Sequence, residues 1–422
     1  MALAPARLRT RLLLFTLLAT VFDGAELTLL AYFFPDLAHS FHVGIPAIVA
    51  VNTLQGLASL AGGLLFGPIG DRFGRRNTMV VTVFLYGAST LAGAFTHSFG
   101  LFTATRLLAG LGIGGEFGAA FAIFNELWSA RGRGQFGAVV QNMFVVGIVC
   151  TQLVGYLTAG AAGGAPAWRA AYTVIGAGTL VIWLAVLLLL PESPLWREYA
   201  AARRRGALPP ALANPGSTAA LFRRGYARTT LVACAVSTGI FFLTYSLVLY
   251  EPTLLSRVRG LPPAGRTDIL LLGDAALFLG SLVAGALADA RGRRDATIAL
   301  ALVSLAGYAA FLLGWHAAWS GAFWSWPTFW ILEVVNFGCG CIGVVGVWLG
   351  ELYPTRLRAT GENLVYYVGR GVGGSVLPLL ALRAVGGAVG PALGLGLVGA
   401  VIVILTGPLL AETRGRDIRA VE

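Results

Sequence analysis

The chain has 422 residues, of which 57% are hydrophobic and 12% charged, about half the charged share of an ordinary soluble domain. That balance excludes a water-soluble globule of this size, because too little polar surface is available to clothe it. The formal net charge of +11 comes from 30 arginines, no lysine and 19 acids. Their placement argues for membrane topology rather than nucleic-acid binding.

Taken in order, the first apolar run follows Arg7, Arg9 and Arg11 and covers 12–34. It is too long for a signal peptide, lacks a small-residue cleavage site and is interrupted by Asp23 and Glu26, so it reads as a retained first helix. Further spans are expected at 46–69, 78–96, 101–125, 136–160 and 170–190. A polar Arg/Ala/Pro-rich stretch, 192–228, follows, and then spans at 229–250, 268–288, 296–315, 327–349, 363–384 and 388–410. Each is long enough to cross about 30 Å of hydrocarbon at about 1.5 Å per residue. A segment in lipid must satisfy its own backbone hydrogen bonds, so all twelve are helices. The expected domains are a six-helix bundle over 1–191, a cytoplasmic linker over 192–228 and a second six-helix bundle over 229–422.

If the first span leaves the cytoplasm, 23 of the 30 arginines fall on the cytoplasmic side and five outside, at Arg169, Arg257, Arg259, Arg266 and Arg383. Arg106 and Arg370 lie within spans. This bias puts both termini in the cytoplasm of a multi-pass inner or plasma membrane protein. Cys150, Cys234, Cys339 and Cys341 sit in apolar runs and imply neither disulfides nor a metal site. His39, His42, His97 and His316 fall near the outer ends of spans, and no catalytic set or cofactor motif is visible, so an enzyme is not expected.

The two halves carry matching marks. GPIGDRFGRR at 67–76 recurs as GALADARGRR at 285–294; Glu126 with Arg131 recurs as Glu351 with Arg356; and PES at 191–193 recurs as AET at 411–413. The offset stays between 218 and 225 residues, which is the signature of a duplication. An even number of helices per half gives both copies one orientation, with a solute site expected between them at mid-depth.

These residues carry a family resemblance. The two ten-residue loops resemble the signature of the major facilitator superfamily. Arg106 with GLGIGGE (110–116), Glu126 and PESPLW (191–196) is similar to its sugar-porter and metabolite–proton symporter branches. ELYPTRLRATG (351–361), Arg370 and Asp23-Gly24-Ala25-Glu26 resemble the organic-acid, aromatic-acid and niacin carriers. The resemblance implies an all-α membrane protein of twelve transmembrane helices in two pseudo-symmetric six-helix bundles. It implies a monomer with a small organic solute and protons as its partners, in a lipid bilayer. The expected function is proton-coupled symport by alternating access, with a monocarboxylate or aromatic acid as the first choice of solute and a sugar or polyol, or an organic cation, as the alternatives. Ser237-Thr238-Gly239 stands where sugar porters carry paired glutamines, which counts against a hexose. A non-transporting membrane sensor of the same fold is the reading from outside transport.

A charge at mid-bilayer costs about 2.5–3.5 kcal/mol on insertion scales, so each one needs a partner or a purpose. Asp23 and Glu26 share one helix face. Glu26 and Arg106 lie at similar depths, and the resemblance gives them the proton-coupling role; the alternative is a static pair that fixes packing. Asp23 is either a second proton site, a solute ligand or a packing contact. Arg370 is either a bidentate anchor for a solute carboxylate or the partner of Glu351 or Glu362. Glu116 is expected as a gating or structural partner toward the cytoplasm, while Asp274 and Glu333 are near enough to the outer surface to be solvated. Gln141, Asn142, Tyr245, Tyr250 and Trp348 are expected to line the cavity. The loops form a cytoplasmic gate: Gly67 and Gly74 allow tight turns, Asp71 caps the approach to the third helix, and Arg75 and Arg76 pair with Glu126 and Glu192. Asp289, Arg293, Glu351 and Glu412 repeat the arrangement, and Arg131 and Arg356 belong to the same gate.

Overall fold

The computed structural model describes residues 6–128, 132–161, 166–207, 218–223, 225–258, 260–261, 263–314, 322–354 and 356–416. Twelve helices among these residues are long and apolar enough to cross a membrane. They are α1 (Thr10–Tyr32), α2 (Ile45–Phe73), α3 (Arg75–Ala94), α4 (Phe99–Glu126), α5 (Arg133–Thr158), α6 (Ala167–Leu189), α7 (Ala227–Ser256), α8 (Arg266–Ala290), α9 (Arg293–Gly314), α10 (Pro327–Leu352), α11 (Arg358–Ala384) and α12 (Val389–Leu409). No strand occurs among the described residues. The chain is a multi-pass membrane protein. Most helices run a few residues past the apolar spans, because helical hydrogen bonding continues beyond the hydrocarbon layer. The expected linker contains a further helix, Pro194–Arg204, whose start Ser193 caps.

α1–α6 pack into one bundle and α7–α12 into another, and the bundles meet chiefly along α5 against α8 and α2 against α11. Leu188 and Val181 on α6, and Leu313 on α9, point outward and are largely exposed, as lipid-facing side chains must be. α4 is the most enclosed helix and α6 the least. Because lipid tails are as apolar as leucine, helices here associate by close backbone approach at small residues. α1 crosses α5 in this way: a Cβ at Gly24 would overlap the Phe144 carbonyl oxygen, and one at Gly147 the Val21 carbonyl oxygen. Gly147→Val is therefore expected to destabilise the fold by about 1–3 kcal/mol or more, as overpacking does. Thermal melts in detergent should show the loss, while Gly100→Ala, where a Cβ meets nothing within 4 Å, should melt like the parent.

Two helices depart from α geometry where they border the bundle interface. α10 tightens into a 3-10 segment at Gly340–Val344. α11 widens into a π segment at Gly369–Val376. Four glycines in that segment tolerate the wide turn, and such bulges mark functional positions. Arg370 is the second residue of the π segment.

Candidate functional site: charged side chains between two helical bundles

The centre is an ion pair between the bundles. Arg370 on α11 donates from Nη2 and Nη1 to the two carboxylate oxygens of Asp23 on α1, at 3.0 and 3.1 Å. The residues are 1% and 3% exposed. The guanidinium also sits 5.6 Å from the Tyr367 ring centre and 5.7 Å from that of Phe144. The partners weighed from sequence, Glu351 and Glu362, are both engaged elsewhere: sequence separation gives no hint that Asp23, on the other bundle, meets Arg370. A narrow cleft beside the pair is lined by Gln141, Asn142, Phe144 and Tyr245. Asn142 donates across the interface to the Phe278 carbonyl at 3.1 Å. Gln141 Oε1 has no hydrogen-bond partner among the described residues. Tyr250 lies farther out, bordering a cavity of about 220 Å³ and donating to the Pro378 carbonyl at 2.6 Å.

Glu26 and Arg106 also come together, inside the first bundle. Their charged atoms are 3.9 Å apart and both side chains are fully buried. Thr90 bridges them, donating to Glu26 and accepting from Arg106 at 2.9 Å. The Tyr172 ring covers the guanidinium at 4.9 Å. All these partners belong to α1, α3, α4 and α6, so Glu26 is held behind α1 while Asp23, one turn away, faces the second bundle. Glu116, expected toward the cytoplasm, is instead buried within electrostatic reach of Asp23 and Arg370.

The loop motifs build a twofold network at one end, called here the motif end. Glu126 takes Arg75 of its own bundle at 3.2 Å and Arg358 of the other at 3.9 Å. Glu351 takes Arg293 of its own bundle at 3.0 Å and Arg133 of the other at 2.9 Å. Ser193 donates to the other oxygen of Glu126, and Thr413 donates to the second oxygen of Glu351, which also accepts from Arg293 Nε at 3.1 Å. Arg131 lies outside the described residues, and Arg356 is half-buried within electrostatic reach of Tyr199. Arg133 and Arg358 were missed in the sequence, although they repeat at the 225-residue offset that relates the two glutamates.

The loop aspartates also correct an expectation. Asp71 pairs with Arg75 at 3.1 Å and accepts from the backbone N–H and hydroxyl of Thr360 at 3.0 and 2.6 Å. It thus caps α11 in the other bundle, not α3. Asp289 accepts from the N–H groups of Gly134 and Gln135, both at 2.9 Å, and caps α5 in the same crossed fashion. Each aspartate places its negative charge on the positive helix end of the opposite bundle. The cap of α3 is Glu192, which accepts the backbone N–H groups of Arg75 and Arg76. Arg76 does not pair with it through its side chain, which reaches the Leu187 and Leu190 carbonyls at 2.7 and 2.8 Å. Burial pushes the Glu192 carboxyl above its ordinary range, while the N–H groups and Arg75 pull it back. Acidification therefore removes this cap's charge at a higher pH than for a solvated glutamate. Gly67 packs on Thr360, and Gly74 takes a φ of +108° that favours glycine.

Trp348 is the clearest displacement. It is buried one turn before Glu351 and donates to the Ala411 carbonyl at 3.1 Å, so it braces the motif end and does not line the cavity. The 3-10 segment before it advances the chain farther per residue than an α-helix does.

A family model described as the Major Facilitator Superfamily matches residues 16–378. The chain belongs to the Major Facilitator Superfamily. Among superfamily members it is 30% identical to the inner membrane metabolite transport protein YhjE of Escherichia coli, over 78% of this chain and 77% of that one. It is 27% identical to the cis,cis-muconate transport protein of Acinetobacter baylyi, over 86% and 85%. It is 25% identical to the niacin transporter NiaP of the same organism, over 86% and 84%. In three dimensions it superposes on the proton:xylose symporter XylE of E. coli with a TM-score of 0.81, covering 99% of this chain and 98% of that one at 17% identity. It is a superfamily transporter of small metabolites, and not an enzyme.

Proposed function

We propose that this transporter is a proton-coupled symporter of a small organic anion, a monocarboxylate or aromatic acid. The observation that carries the reading is the bidentate Asp23–Arg370 pair between the bundles. A buried guanidinium stripped of its partner costs about 3–5 kcal/mol. Protonation of Asp23 alone therefore leaves Arg370 uncompensated, and an anion alone meets the repulsion of Asp23. Together they are compatible: the proton neutralises Asp23 and the solute carboxylate takes its place on the guanidinium. Phe144, Tyr245 and Tyr367 supply the apolar walls that an aromatic or short aliphatic body needs.

The Glu26–Thr90–Arg106 cluster supplies a second proton-linked position that holds α1 against α3 and α4. The bundles 1–191 and 229–422 rock as units about this site, with the motif end in the cytoplasm, both termini there, and the chain acting as a monomer. The relatives that carry niacin and muconate support an anionic solute.

The test is uptake into proteoliposomes of nicotinate, cis,cis-muconate, benzoate and xylose. An acid should accumulate under an inward proton gradient and xylose should not. Equal accumulation after an ionophore collapses the gradient excludes symport, and gradient-driven xylose uptake excludes the anion. Glu26→Gln should lose the response to the gradient while still exchanging solute at equilibrium.

A further inference from the structure

A second group of acids lies away from the Asp23–Arg370 site, toward the end opposite the motif loops. Glu251 on α7 and Asp274 on α8 line a small cavity between the bundles, which Thr28, Tyr32 and Gln152 border from the other side. Glu333 on α10 lies within electrostatic reach of both acids. No described cation forms an ion pair with any of the three. Arg266 at the mouth lies over the Tyr32 ring, 5.5 Å from its centre, and faces Asp36 beyond α1. The remaining titratable neighbours of Glu251 are Tyr308 on α9 and Cys339 on α10, and both donate to the Leu243 carbonyl.

The polar groups around the acids point to what they hold. Gln152 on α5 donates across the bundle interface to Asp274 at 2.9 Å. Its other end, Oε1, has no partner, nor do Glu251 Oε1, Glu333 Oε1 and Asn336 Nδ2. Gln152 is 6% exposed, Glu251 and Asn336 4% each. The unpaired Gln152 and carboxylate oxygens need donors; the Asn336 amide can serve one of them, and the O–H of a protonated carboxyl is the donor the acids themselves can provide for another. Among the described residues no three His, Cys, Asp or Glu side chains converge as metal ligands do. Glu251 is buried and Asp274 and Glu333 are partly buried, with no described cation paired to any of them; carboxylates held within electrostatic reach repel one another, and a proton relieves that repulsion together with the cost of burial. When the bundles part at this end, water returns and the reason to hold the proton goes.

We infer that the Glu251–Asp274–Glu333 cavity is a proton-binding site loaded by closure of this end, the closed form holding at least one more proton there than the open form. The inference extends the alternating-access reading but requires neither the role given to Asp23 nor any particular solute. Its test therefore reads opening rather than uptake, and its failure is separable from failure of symport.

The experiment places spin labels at His97→Cys and Ala388→Cys, exposed positions on opposite bundles at this end, with Cys150 and Cys234 changed to serine. Distance distributions are recorded from pH 5 to pH 9 in nanodiscs without solute. One proton taken up on closure changes the closed-to-open ratio by up to about tenfold per pH unit over the titrating range, and the closed form should grow on acidification. Glu251→Gln with Asp274→Asn should reduce the change across the whole range to less than about twofold and leave the end mostly closed. Glu333→Gln, which keeps the Gln152 contact intact, should shrink the dependence if the double variant does not fold. A parent that shows no pH dependence, or variants that keep all of it, overturns the inference. Closure at pH 9 on adding sodium or methylammonium also overturns it, because the site would then take a cation other than the proton.

Discussion

Asp23→Asn is expected to abolish gradient-driven accumulation while leaving solute exchange across the membrane intact. With one proton per solute, a pH difference of about two units supports about 100-fold accumulation, since about 1.4 kcal/mol corresponds to tenfold. The asparagine variant should reach a ratio near one, because its side chain is permanently neutral and Arg370 is permanently available to the anion. Arg370→Gln should behave in the opposite way. It removes the anion's partner and leaves the Asp23 carboxylate buried alone, at a cost of about 3–5 kcal/mol. Both uptake and thermal stability should fall. The double variant, with neither charge, should recover much of the melting temperature but no transport. That split separates a functional pair from a structural one, since a purely structural pair would recover both together.

The second large effect concerns the motif end. Asp71→Asn combined with Asp289→Asn removes the charges of both crossed caps while leaving each own-bundle cap, Glu192 and Glu412, in place. A helix cap is worth about 0.5–2 kcal/mol, and the two act on the same closure. The closed-to-open ratio at this end should fall by about 5- to 150-fold, the range that about 1–3 kcal/mol produces. Alkylation of Ala359→Cys, buried next to Thr360 in the first turn of α11, should speed up accordingly when reagent is added on the motif side. Unchanged labelling would mean that the crossed caps do not hold the end shut. Glu126→Gln should be harsher, because it leaves Arg75 and Arg358 buried without their shared carboxylate. A melting temperature like the parent's would contradict that expectation.

The crossed arrangement explains why the duplication matters physically. Each gate glutamate binds one arginine from its own bundle and one from the other, so each contact between bundles is backed by a contact within one. When the bundles separate at this end, Glu126 keeps Arg75 and Glu351 keeps Arg293. Arg358 and Arg133 lose their partners and gain water instead. In the proposed transport cycle, opening this end costs the Arg358 and Arg133 contacts and the two crossed caps, while the contacts within each bundle persist.

Much of this was already determined by the sequence. Twenty-residue apolar runs must be helices in lipid, whatever they pack against, so the number and position of the spans followed from composition along the chain. The repeat offset, together with an even number of helices per half, fixed the pseudo-symmetry. The pairing of Arg75 with Glu126 and of Arg293 with Glu351 could be read because matched acids and bases recur at a nearly constant offset of 218 to 225 residues. What only the tertiary structure decided were contacts between bundles: Asp23 with Arg370, Asp71 with the start of α11, and Gln152 with Asp274. Each joins residues more than 100 positions apart, and the periodicity of a helix reports which face a residue occupies but not which helix that face will meet. The placements of Trp348 and Glu116 differ for a related reason: span boundaries read from composition do not give the 3-10 segment before Trp348, nor that Glu116 lies within electrostatic reach of a pair formed between the two bundles.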